Sequence, residues 1–278
     1  MSHLILNAFR TRALPGPCLL ANDPKLTALL RRAGEQGDVF KAIWNAGRSA
    51  PLGTHVTPED RDKAKRTVYG ILYGQGKVGL AEKLGVSQDT AQGLMTAFFA
   101  TFPGVQRFVQ RIKETARRTG YVTLPSGRHR PLPGFGSSKP SERAEAERKA
   151  VNTLVQGSAA DMMKAAMVRW VSAVGTVCAG GGHEATEFRD VAGRADPTRV
   201  RLVAQIHDEL LFECVDGRYV CEAAALVRRC MEEAAPHMPV PTPAKVSVGR
   251  TWAELRPLDE WVAANGGDPA AAGAGETQ

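Results

Sequence analysis

Arg61, Lys65, Tyr69 and Tyr73 stand four residues apart, a spacing that puts them on one slowly winding stripe of a helix. Two cations followed by two aromatics suit a nucleotide, because a polyphosphate needs fixed positive charge and a sugar or base needs a flat surface. A second group lies far downstream, where Gln205-Ile-His207-Asp208-Glu209 sets two carboxylates at a tight tip between two apolar runs. Hard oxygen ligands held rigidly in such a place suit Mg²⁺, and a pair of such ions can activate a hydroxyl and stabilise a leaving pyrophosphate. A third group, Arg148, Asn152 and Gln156, again repeats every four residues. Arg, Asn and Gln can read the acceptors that every base pair offers in a DNA minor groove, which suits a protein that must hold any sequence. Each group also has an ordinary reading: a solvated charged helix face with half-buried tyrosines, an acidic turn, a polar helix face.

The elements that must carry these groups follow from local signals. At Thr57-Pro58-Glu59-Asp60 a capping residue, a proline suited to the first helical position and two acids for the helix dipole coincide. A helix therefore starts there, carries the stripe and ends near Gly74-Gln-Gly76. Further helices are expected over Val78 to Leu84, from Ser87 to about Thr101, and from Pro103 to Arg118. Tyr121 to Arg130 reads as a hairpin with a basic second arm, and Glu142 through Val174 as the longest helix, with Gly157 inside it. Arg199 to Cys214 reads as two strands around the acidic tip, followed by a helix over Tyr219 to Ala235 and a strand near Ala244 to Val248. The chain opens strand-like, then passes a Pro-rich turn, Leu14-Pro-Gly-Pro17, and a short apolar run, Cys18-Leu-Leu-Ala21. A helix follows through Leu29-Leu30. Gly34, Gly37, Gly47 and Gly53 punctuate what reads as a loop-rich connection holding Asp38-Val-Phe40-Lys-Ala-Ile-Trp44. Gly175 to Asp196 reads as a flexible insertion, and the Gly/Ala-rich tail after Asn265 as disordered.

With 278 residues of which 43% are hydrophobic, the chain is long enough to bury a core. It contains no apolar run of membrane-spanning length. Its first nine residues lack the basic start and long apolar centre of a signal peptide. Five cysteines, an odd number without a Cys-x-x-Cys pair, argue against a zinc site or disulfide framework and for reduced thiols. A net charge of +7 favours a polyanionic partner.

Taken in order, the groups carry a resemblance. Arg61…Lys65…Tyr69…Tyr73-Gly74, then Tyr121-Val…Gly127-Arg128, then Arg148…Asn152…Gln156-Gly, then Gln205-Ile-His207-Asp208-Glu209 resembles the C-terminal half of family A DNA polymerases. The similarity runs from Asp23 to Leu258 and includes Val155-Gln-Gly-Ser-Ala-Ala-Asp161 and Gly249-Arg-Thr-Trp252. Within the family the chain looks most like DNA polymerase nu, then theta, types that also read Asp-Val-Phe at Asp38-Val39-Phe40, where bacterial members carry a nucleotide-contacting histidine. The resemblance implies an α+β fold, an incomplete right-hand polymerase with an antiparallel palm sheet and an inserted helical fingers subdomain. Residues 1–33 would be a partial palm start, 34–135 the fingers, 136–262 the C-terminal half of the palm with a flexible insertion at 175–198, and 263–278 a disordered tail.

The same resemblance implies template-directed nucleotidyl transfer to a primer 3′-hydroxyl in repair or translesion synthesis, in the nucleus. Its partners would be primer–template DNA and deoxynucleoside triphosphates, with two Mg²⁺ ions and no membrane. Arg61 and Lys65 would grip the triphosphate and Tyr69 pack against its sugar and base; many bacterial members have Phe there, and Tyr is expected to relax discrimination against 3′-deoxy sugars. Tyr73 and Gly74 would guard the pocket of the template base, with Arg66 an extra cation beside it. Arg148, Asn152, Gln156, Gln205 and His207 would hold the primer–template near its growing end. Asp208 would ligate metal, with Glu209 as the second acid at the catalytic tip.

One part of the family pattern is missing. An Asp-(Tyr/Phe)-Ser-Gln-(Ile/Leu)-Glu-Leu-Arg motif should follow Cys18-Leu-Leu-Ala21, yet the chain passes directly to Asn22-Asp23-Pro24. Relatives show such a sequence only after that motif and the helix behind it, so Asp23 is no substitute for the lost metal ligand. The resemblance also leaves no expected thumb in these residues. The expectation is an impaired polymerase; the alternatives are a non-catalytic fragment or splice form that binds DNA or nucleotide, and an incomplete rendering of a full enzyme's gene.

Overall fold

The computed structural model describes residues 4–10, 21–36, 38–48, 54–174, 199–215, 217–234 and 242–265. In chain order these form β1 (Leu4–Arg10), α1 (Pro24–Gln36), α2 (Val39–Gly47), α3 (Pro58–Leu72), α4 (Lys77–Leu84), α5 (Gln88–Thr101), α6 (Pro103–Thr119), β2 (Tyr121–Thr123) and β3 (His129–Pro131). There follow α7 (Pro140–Val174), β4 (Val200–Ile206), β5 (Glu209–Cys214), α8 (Val220–Glu232), β6 (Ala244–Gly249), β7 (Arg256–Pro257) and α9 (Leu258–Ala264). The apolar run Cys18 to Leu20, the insertion at 175–198 and the tail from 266 lie outside the described residues.

The chain divides into two compact units. One comprises Met1–Arg12, Ala160–His237 and Thr242–Gln278; the other, Ala13–Ala159 and Met238–Pro241. In the first, Leu4, Leu6 and Ala8 of β1 are buried, the period-two pattern of a strand with one face against a core. The sheet is ordered β4–β5–β1–β6–β7 and antiparallel throughout. Its buried face adds Leu210, Phe212, Val246 and Val248, and packs against Met163, Ala166 and Trp170 of α7, Leu226 and Met231 of α8, and Leu258 and Val262 of α9. The register sets Phe9 of β1 opposite Glu209, so β1 ends beside the tip of the β4–β5 hairpin. With its long helices, the molecule is α+β.

Among its described residues, the second unit is built of helices and the β2–β3 hairpin. Asp23 organises it. This carboxylate is 1% exposed; Oδ1 accepts the N–H of Leu26 at 2.9 Å and Oδ2 the N–H of Gly104 at 2.7 Å. One side chain thus caps α1 and satisfies a backbone donor at the start of α6, groups that have no partner within their own helices. A Cβ on Gly104 would lie 2.7 Å from Asp23, which explains the glycine.

The connection expected to be loop-rich holds a nine-residue helix, α2. Asp38 caps it through the N–H groups of Phe40 and Lys41, and Phe40 and Ile43 enter the core beside Leu26, Leu30, Val68 and Phe102. Gly47 is the last residue of this helix, and Gly34 lies inside α1, so neither glycine marks a loop. Inside α7, a Cβ at Gly157 would stand 2.7 Å from the end of the Leu124 side chain, which would have to shift to admit it.

Replacing Asp23 with alanine leaves two buried backbone donors unpaired. We expect a loss of about 3 kcal/mol in urea unfolding followed by circular dichroism, and about half that for Asp23→Asn, which keeps one acceptor.

Candidate functional site

Helix α3 begins as its sequence directs: Thr57 Oγ1 accepts the Asp60 N–H at 3.1 Å and Pro58 occupies the first turn. Ala64, Thr67, Val68, Ile71 and Leu72 are buried, which leaves Arg61, Lys65, Tyr69 and Tyr73 half-buried on another side. The rings of Tyr69 and Tyr73 stack with centroids 5.8 Å apart and planes 23° apart, and Phe40 lies 5.8 Å from Tyr69.

The cations of α3 differ in their engagement. The Nε–H of Arg61 donates to Asp38 Oδ2 in a close ion pair, and its guanidinium carbon lies 5.7 Å from the centre of the Phe40 ring. Burial pushes the Asp38 carboxyl up, but the bond from Arg61 and those from the Phe40 and Lys41 N–H groups outweigh it and hold the group below the ordinary aspartate value. Lys63 faces Asp60 at 4.0 Å. Arg66 pairs with Asp62 at 2.7 Å and reaches the Lys83 carbonyl at 3.5 Å, so it is tied toward the end of α4. Lys65 is the one cation of α3 with no acidic partner among the described residues.

In the same unit the stripe meets the polar face of α7. Gln156 Nε2 donates to the Tyr73 hydroxyl at 3.0 Å. Gly74 has φ +72° and a Cβ there would stand 3.2 Å from the Arg148 Cα, so both conformation and space select glycine. Arg148, Asn152 and Gln156 are exposed on one face of α7. Glu147 is set between Lys113, at 3.1 Å, and Arg117; burial raises its carboxyl, but the two cations outweigh that and lower it. Arg130 of β3 donates to Thr153 at 2.9 Å. The structure therefore brings Tyr69, Tyr73, Gly74, Arg148 and Gln156 together. The sequence did not reveal that Asp38 holds Arg61, that Glu147 holds Lys113 and Arg117, or that Thr153 accepts from Arg130.

In the sheet unit, Gln205, His207, Asp208 and Glu209 form the tip between β4 and β5. Gln205 Nε2 donates to the His207 carbonyl at 2.8 Å. His207 has φ +53°, a left-handed conformation that residues with a Cβ seldom adopt and that is often kept where function requires it. Asp208 and Glu209 are half-buried. Asn7 of β1, only 6% exposed, donates to Glu209 Oε2 at 3.1 Å, while its own Oδ1 has no partner. The strand next to β5, β1, reads Leu-Ile-Leu-Asn-Ala-Phe-Arg and carries no carboxylate. Among the described residues no group of three or more His, Cys, Asp or Glu could hold a metal ion. Asp208 and Glu209 offer suitable oxygens, but the described residues do not fit a two-cation centre.

Comparison with known proteins gives the family. The sequence pattern described as DNA polymerase family A matches residues 18–254. DNA polymerase I of Chloroflexus aurantiacus is 36% identical over 219 residues, 78% of this chain and 21% of that protein. DNA polymerase theta of Mus musculus is 31% identical over 257 residues, 86% of this chain and 10% of that protein. Among solved structures, the POL domain of Pol1 from M. smegmatis, in complex with DNA primer-template and dNTP, superposes with a TM-score of 0.74 at 31% identity, over 90% of this chain and 40% of that one. The chain thus spans only a fraction of the length of the proteins it matches.

Two outcomes follow from the site's electrostatics and strain. Asp38 and Glu147 have folded values below the ordinary 3.8 and 4.5, so on acidification the unfolded chain takes up their protons first. Their stabilisation is complete above those ordinary values and is lost as pH falls below them. Urea midpoints measured between pH 6 and pH 3 should fall in that window, and less steeply for Glu147→Gln. Relieving the left-handed backbone at the tip with His207→Gly should raise stability by about 1 kcal/mol in the same assay.

Proposed function

The chain belongs to DNA polymerase family A, and from that premise we propose that it holds a deoxynucleoside triphosphate and primer–template DNA in the manner of a template-directed DNA polymerase of the nu type. The observation that carries the reading is the α3 stripe: an oriented Arg61, an open Lys65, two stacked tyrosines, and Tyr73 bonded to Gln156 of α7. In this reading Arg61 and Lys65 hold the triphosphate, because charge-assisted bonds to phosphate oxygens are the strong ones. Tyr69 supports sugar and base. Tyr73 and Gly74 border the template base, and Arg148, Asn152 and Gln156 contact the minor groove. Gln205 and His207 hold the primer end, and Asp208 with Glu209 supply acid at the reacting end. That a solved relative binds primer-template and dNTP supports the substrate class.

The nu type is favoured by Asp38-Val39-Phe40. Repair or translesion synthesis in the nucleus, with Mg²⁺, belongs to the same reading. The described residues hold one acidic tip, and β1 beside it is free of carboxylates. This supports the view that the chain by itself binds its substrates but does not extend a primer.

Three measurements test the proposal. Fluorescence anisotropy with a labelled primer–template should show binding that weakens steeply between 50 and 200 mM salt, by about tenfold or more. Lys65→Ala should weaken dATP binding by about tenfold without changing DNA affinity. Gel-based primer extension with Mg²⁺ and all four deoxynucleotides should give no product from the chain alone; extension would overturn the impairment.

A further inference from the structure

The placement of Asp38 bears on how the stripe meets its ligand, if the stripe binds a triphosphate as proposed above. We propose that Asp38 is a positioning residue: by taking the Nε–H edge of Arg61 it turns the guanidinium so that both terminal nitrogens are offered together to the phosphates of a nucleoside triphosphate. The carboxylate is fixed before it meets the arginine, because its Oδ1 is committed to the Phe40 and Lys41 N–H groups at 2.9 and 3.3 Å. Only Oδ2 is left for Arg61. The ring of Phe40, from the same turn of α2, lies 5.7 Å from the guanidinium carbon. The group is therefore held at one edge by Asp38 and on one face by Phe40.

Arginine presents five N–H donors in a planar fork, and the two terminal nitrogens are the pair that matches a phosphate. Neither makes a hydrogen bond among the described residues. An acid that masked Arg61 would occupy that fork; Asp38 occupies the other edge. An unrestrained arginine must lose its rotamer freedom when it binds, and here that loss has already occurred in the free protein. Lys65, one turn along, carries no such restraint. The two cations have different duties: Arg61 sets geometry and Lys65 adds mobile charge.

The test is calorimetric titration of the full chain with dATP and with dAMP. Asp38→Ser retains a cap for α2, since serine accepts from the same N–H groups, but it is too short to reach Arg61. We expect dATP affinity to fall about fivefold to tenfold, dAMP affinity to change less than twofold, and Asp38→Ser to have no further effect in an Arg61→Ala background. Unchanged or tighter dATP binding overturns the inference, the latter by showing that Asp38 masks the arginine. An equal loss for both nucleotides, or a full effect without Arg61, also overturns it, because a merely structural role behaves that way. If Asp38→Ser melts early, Asp38→Asn, which keeps size and cap but lacks the charge, is judged by the same outcomes. Lys65→Ala separates the two readings. If it weakens dATP binding while Asp38→Ser does not, only the role of Asp38 fails. If it has no effect, or the unaltered chain binds no dATP, the stripe itself has been misread and the inference falls with it.

Discussion

A helix can hold a row of side chains toward a ligand only if another side of it cannot turn away from the core. In α3 that side is Ala64, Val68, Ile71 and Leu72, each 3% exposed or less. Burying a valine, isoleucine or leucine is worth about 1.5–3 kcal/mol each, so rotating the helix enough to re-aim the stripe would cost several kcal/mol. Partly exposed ion pairs, at about 0–1 kcal/mol, could not fix that orientation. The aim of the cations and tyrosines is thus set by apolar packing, and their charges are left to act on something else.

The acids of the helical unit are used differently from those of the sheet unit. Asp23 is buried and bonded to backbone donors. Asp38 and Glu147 sit at the margin of the core and each holds one or two cations in place. In the sheet unit Glu209 is braced by an amide, that of Asn7, while Asp208 stands at the turn. A neutral brace leaves the charge of the tip intact, whereas a cationic one would have cancelled part of it.

Much of this was legible in the sequence where the cause is local. The start of α3 was written in Thr57 and Pro58, the β4–β5 tip in two apolar runs around His207-Asp208-Glu209, and the length of α7 in an unbroken helical pattern from Glu142. Helix α2 was not legible, because Gly34, Gly37 and Gly47 resemble breaks, and its stability comes from an aspartate cap and from Phe40 and Ile43 reaching a core built by distant segments. The supports of the site were hidden for the same reason. Asp38 and Arg61 are 23 residues apart, Tyr73 and Gln156 are 83 apart, and Asn7 and Glu209 are 202 apart. Spacing along one helix predicts which side chains share a face; it says nothing of which acid or amide will come from elsewhere to meet them.

The double cap at Asp23 has a bearing on how this chain could vary. The residue before it, Asn22, is exposed and already in a left-handed conformation at φ +48°, and from Asp23 onward the backbone is anchored at both α1 and α6. An anchor of that kind works as a point of registration. Coding sequence gained or lost just ahead of Asn22 alters what is attached to the helical unit without shifting the phase of any helix inside it. The face that carries the α3 stripe can then persist through changes in the chain that precedes it.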